Sequence, residues 1–112
     1  MTQELIIFKK SYDFSIWLFN HTNKFPKSHR FSVAVRLENG MLEFLRLITI
    51  ANHRRQKLEL LHAADDELLV LRIYIRLSHD LRFINISSYE YAIRQLEEIG
   101  KMLGGWIKSQ KE

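Results

Sequence analysis

The chain has 112 residues, 46% hydrophobic and 27% charged, a balance that fits one globular domain over 1–112 and excludes a disordered segment. Four Gly and one Pro are too few for an all-β fold with many tight turns. Zero Cys excludes disulfides, Cys-based zinc sites and thiol catalysis, and suits a reducing compartment.

The net charge is +4, and it is unevenly spread. Residues 1–56 carry nine Lys/Arg against four Asp/Glu, whereas residues 57–112 carry eight against nine. The basic excess thus lies in the first half and invites an anionic partner. Met1 to Lys10 has no apolar run of signal or membrane length, so a soluble cytoplasmic protein without a membrane partner is expected.

The first expected helix runs from about Gln3 to Thr22, with Leu5, Phe8, Tyr12, Ile16 and Phe19 recurring every three or four residues as its core seam. Asn23 to Lys27 breaks it. Pro26 fixes its own φ and disfavours the α conformation at Phe25. Lys27, His29 and Arg30 then fall at the expected start of the next helix, where the macrodipole is already positive. Cations placed against that preference suggest a phosphate backbone, which would suit both side chains and free N–H groups.

The second helix is expected over about Ser28 to His53, with Leu37, Met41, Phe44, Ile48 and Ala51 as its seam. Gly40 interrupts it at about 1 kcal/mol relative to Ala and suggests close approach of a neighbouring backbone. Asn52-His53-Arg54-Arg55 closes it with cations that favour a helix C-terminus. The third, about Gln56 to Leu81, has the seam Leu61, Ala64, Leu68, Leu71, Ile75 and Ser78. A second stripe of Val70, Ile73, Leu77 and Leu81 suggests a second buried face. The fourth is expected to start with a capping box, Ser87 as N-cap and Glu90 at N3, stapled by Ile86 and Tyr91. Its seam is Tyr89, Ala92, Leu96, Ile99, Leu103 and Trp106. Four long helices with short connections predict an all-α, antiparallel up-down-up-down four-helix bundle. Apolar faces wider than one core needs predict an oligomer.

Candidate chemistry is sparse. Glu59-Leu60-Leu61-His62 is a Glu-x-x-His pair, but a di-iron bundle needs two such pairs and two more glutamates. A solvated helix face is the simpler reading. Asp65, Asp66 and Glu67 point in different directions on a helix and suit solvent or pairing with Arg72 or Arg76. No nucleophile triad, phosphate-binding glycine loop or zinc spacing occurs. No catalytic residue, metal site or cofactor is expected. Trp17 and Trp106 read as core or interface anchors, with a docking point as the alternative. The remaining set is Lys24, Lys27, His29, Arg30 and Arg36, with Arg54 and Arg55 one helix later. Residues 24–30 and 54–57 fall at opposite ends of the second helix, so they cannot form one patch within a subunit.

With these motifs in place, the chain resembles the accessory variability determinant (Avd) family of diversity-generating retroelements. The match lies in Phe25 to Phe31, in Arg36-Leu37-Glu38-Asn39, in Ser88-Tyr89-Glu90-Tyr91 and in Glu98 to Ser109. The resemblance implies a bundle that assembles into a barrel-like homopentamer. It further implies binding to a reverse transcriptase and to RNA, and possibly DNA, in support of mutagenic retrohoming, with Lys24, Lys27, Arg30, Arg36, Arg54 and Arg55 as the basic surface. The alternative is an orphan bundle of the related branch encoded within ribosomal-RNA intervening sequences. That branch usually carries a small-residue-rich motif where this chain has Arg36 to Leu42.

Overall fold

The computed structural model describes residues 2–111, with the side chains of Arg30 and Lys111 outside the described ones. Four helices make it: α1 (Gln3–Thr22), α2 (Val35–His53), α3 (Leu58–Asp80) and α4 (Ile86–Lys111). A 3-10 turn, Lys27–His29, and a π turn, Arg30–Ala34, lead into α2. No strand occurs among the described residues, and the fold measures 45 × 24 × 20 Å.

Local chemistry explains the helix ends. Thr2 caps α1, its hydroxyl accepting from the Leu5 N–H at 3.2 Å. Pro26 ends the connection after α1, and its carbonyl accepts from the His29 N–H at 2.9 Å. The regular helix expected from Ser28 instead begins at Val35. Its first N–H group is not free, since Val35 N donates to Ser32 O across the π turn. The α-helix thus starts beyond Lys27 to Arg30, and in that stretch the His29 N–H is taken by the Pro26 carbonyl.

The α4 cap also differs from expectation. Asn85, not Ser87, does the capping, its Oδ1 accepting from the Ser88 N–H at 2.8 Å. The residues flanking that cap are Ile84, buried, and Tyr89, half-buried. Ile86 and Tyr91 stay exposed and form no staple.

The seams expected for α2 and α3 are buried throughout, and those of α4 from Ala92 to Trp106 likewise. Gly40 lets α3 come close: a Cβ there would sit 3.0 Å from Leu71 Cδ2, a side chain rather than a backbone. The expectation for α1 was wrong. Its buried residues are Ile7, Ser11, Phe14, Ser15, Leu18 and Thr22, whereas Leu5, Tyr12 and Ile16 are more than half exposed. Small polar residues share the buried face with Ile7, Phe14 and Leu18. Ser15 satisfies itself by donating to Ser11 O at 2.8 Å, and Thr22 donates to Glu38 Oε2 at 2.6 Å. The second α3 stripe is also open to solvent, with Ile73 at 57% exposure.

Contacts run around the bundle between α1 and α2, α2 and α3, α3 and α4, and α4 and α1. Along the α1–α4 seam, Gln3 donates to Met102 O, Lys10 pairs with Glu98, and the Trp17 ring lies 4.9 Å from Tyr91. Along α3–α4, Arg72 donates to Leu96 O and His79 stacks on Tyr89 at 4.7 Å.

Candidate nucleic-acid interface

The expected basic residues fall into three places. At one end of the bundle, the α1–α2 connection meets the α3–α4 turn. Phe83 joins them, its ring 5.2 Å from Phe25 and 4.8 Å from His29. His29 is half-buried by that contact, whereas Lys24 and Lys27 are exposed. Arg30 belongs to the same segment, though its side chain lies outside the described ones. No acidic residue occurs between Asp13 and Glu38, so the segment's cations have no carboxylate of their own to neutralise them.

Two further residues at this end escaped the sequence reading. Arg82 closes α3 in a Schellman arrangement: Phe83 N donates to Ser78 O at 2.8 Å and Arg82 N to His79 O at 2.9 Å. Its φ is +65°, the left-handed conformation that usually selects Gly. An L side chain there costs about 1–2 kcal/mol. The sequence signal for such a stop is Gly, and Arg82 does not supply it. The other is Phe31, 89% exposed and the most exposed large apolar side chain described. Leaving it in water forgoes about 1.5–3 kcal/mol of burial.

The second place is the α2–α3 groove. Arg36 lines a cleft of about 410 Å³ with Glu43, Glu67 and Tyr74. Arg46 binds Glu43 through Nη2 at 2.7 Å from Oε1, and that hydrogen bond holds the Glu43 carboxyl below its usual pKa. Burial, then repulsion from Glu43 and Asp66, pushes Glu67 up. Arg36 therefore shares its cleft with two carboxylates, a poorer setting for phosphate than the bundle end.

The third place is the α2–α3 connection. Arg54 and Arg55 are exposed and border an open depression of about 900 Å³ shared with Lys57, Glu59 and Gln110 of α4. Lys57 is already committed. Its Nζ donates to Ala51 O at 2.7 Å, to Asn52 O at 3.3 Å and to Arg54 O, tying off the carbonyl end of α2. The two clusters lie beyond opposite ends of α2. Arg36 and Arg54 alone are about 27 Å apart along the helix axis.

The other candidates take plain roles. Glu59 and His62 are both exposed, and no group of three His, Cys, Asp or Glu able to hold a metal occurs among the described residues. The expected pairing of Asp65, Asp66 or Glu67 with Arg72 or Arg76 does not form. Arg76 reaches Asp80 at 4.0 Å instead, and Arg72 turns inward to Leu96 O at 3.3 Å. Trp106 is 1% exposed and belongs to the core rather than to a docking surface. Trp17 is half-buried and stacks on His21 with ring centres 3.8 Å apart.

The helices and their shared core define an all-helical, four-helix protein, with no helix among the described residues long and apolar enough to cross a membrane. The bAvd-like family model matches residues 5–110, and the chain belongs to that family. A solved structure of similar fold is a protein of unknown function from the S23 ribosomal protein family of Bacteroides thetaiotaomicron. It superposes with a TM-score of 0.86 at 18% identity, covering 96% of this chain and 99% of its own. No curated protein matches the sequence.

Proposed function

We propose that this bAvd-like protein is a non-catalytic accessory protein of a diversity-generating retroelement. It binds the element's reverse transcriptase and nucleic acid in the cytoplasm, supporting mutagenic retrohoming. The observation that carries the reading is the exposure of Lys24, Lys27, Arg54 and Arg55 at two bundle ends, with no ion pair to any of them among the described residues. Cations left free in this way attract phosphate by releasing counterions, which gives affinity without sequence choice.

The reading includes an up-down-up-down topology and a barrel-like oligomer, five copies in the family's pattern. The succession Gln3–Met102, Lys10–Glu98 and Trp17–Tyr91 runs in opposite senses along α1 and α4, which supports antiparallel packing. Two apolar stripes support assembly: Leu5, Tyr12 and Ile16 on α1, and Val70, Ile73 and Leu77 on α3. They lie on helices that are not neighbours around the bundle, so they suit a head-to-tail contact between successive copies. Five copies would carry +20, enough to steer a polyanion.

The test is co-purification with the reverse transcriptase encoded beside this chain. A stable complex, lost on reversing Lys27, Arg30, Arg54 and Arg55 to Glu, is expected. A folded, oligomeric protein that fails to associate overturns the reading and leaves an interaction bundle without a polymerase partner.

A further inference from the structure

We infer that the bundle end formed by the α1–α2 connection and the α3–α4 turn binds single-stranded nucleic acid, with Phe31 as a base-stacking platform and Lys24, Lys27 and Arg82 as phosphate contacts. The inference rests on the nucleic-acid reading above and narrows its ligand.

Three observations meet there. Of the three phenylalanines in the two connections, Phe25 and Phe83 pack on each other, while Phe31 is left almost wholly in water. Nothing in the fold uses it. Arg82 stands in a left-handed conformation where Gly would close α3 without strain. A cation is kept at this turn against a backbone cost, and such outliers persist where they serve a function. Finally, the segment from residue 14 to residue 37 contains no acidic side chain, so a phosphate chain entering here meets no carboxylate from it.

The combination of an exposed ring with unpaired cations on the same two connections selects the ligand. A partner protein's apolar pocket would accept Phe31 but would gain little from those cations. A duplex would satisfy the cations, but its bases are stacked on one another and offer no face to Phe31. An unpaired strand satisfies both: phosphates track the cations while a base covers the ring. Stacking of this kind tolerates any base, so little sequence preference is expected.

Fluorescence anisotropy of the full chain with labelled oligo(rU), oligo(dT) and a duplex of equal length tests this. Both single strands should bind more tightly than the duplex, and their ratio reports whether RNA or DNA is favoured. Phe31→Ala should weaken single-strand binding about tenfold and leave duplex binding unchanged, while Phe31→Trp retains it. Arg82→Gly should raise the melting temperature, weaken binding, and lower the slope of log K against log salt by about one. Unchanged single-strand affinity in Phe31→Ala overturns the inference and leaves the broader reading intact. Absence of nucleic-acid binding in the wild type overturns both. A changed oligomeric mass in Phe31→Ala, with affinity per assembly unchanged, overturns it in favour of a contact between copies.

Discussion

The guanidinium of Arg72 lies across Gly100, with Nη2 2.5 Å from where a Cβ would stand and 3.3 Å from Leu96 O. Nε of Arg72 is buried with no hydrogen-bond partner. A charged side chain from α3 is thus seated on α4 through one hydrogen bond and the space that a glycine leaves. Gly100→Ala should gain about 1 kcal/mol of helix propensity but push the guanidinium off the Leu96 carbonyl, a charged hydrogen bond of about 1.5–3 kcal/mol. A net loss of about 1 kcal/mol follows from those two terms. In an Arg72→Ala background the same change should stabilise. Urea titration of the four proteins measures the cycle, and additive effects would show that the two residues are not coupled.

Gly104 provides the contrast. A Cβ there would meet nothing within 4 Å, so Gly104→Ala should stabilise by about 1 kcal/mol and raise the melting temperature by about 4 °C. A loss of stability would mean that another chain already occupies this face.

The two apolar stripes make a prediction about mixing. Ile16→Glu should cripple the α1 stripe and Ile73→Glu the α3 stripe, each leaving a 13.4 kDa monomer by light scattering. Mixed, the two variants should form a heterodimer, because each retains the face the other has lost. An interface built from two identical stripes would instead leave one of the variants dimeric by itself.

Acid sensitivity should come from opposing glutamates. The hydrogen bond from Lys10 depresses Glu98, so the stability it adds is present above the ordinary glutamate pKa and is lost as pH falls through its lower folded value. Glu67 is pushed up by burial and by Glu43 and Asp66. Its folded form is favoured while protonated, and stability is lost as pH rises through its folded pKa. Glu98→Gln should therefore destabilise at pH 7, whereas Glu67→Gln should stabilise there. Both effects should vanish at pH 2, where all the carboxyls are protonated. Urea midpoints at the two pH values decide the matter, and like signs for the two variants at pH 7 would contradict it.

What the sequence by itself determined is the set of helices and most of the core. Apolar spacing in α2, α3 and α4 is carried by Leu37 to Ala51, Leu61 to Ile75 and Ala92 to Trp106, and these runs are buried, although the second apolar stripe of α3, equally periodic, is not. The basic segment from Lys24 to Arg30 was likewise visible, as charge without nearby acid. The face of α1 was not. That helix is apolar on two sides, and its bulky stripe of Leu5, Tyr12 and Ile16 outweighed Ile7, Phe14 and Leu18 because Ser11, Ser15 and Thr22 interrupt the buried side. Inside, the Ser15 hydroxyl is satisfied by a carbonyl and that of Thr22 by Glu38, while Ser11 Oγ is left without a partner. Only tertiary packing could decide which side turned inward. The same holds for Arg82 and Phe31, since a left-handed φ on an arginine and a ring left in water are properties of the chain's path, and neither residue type announces them.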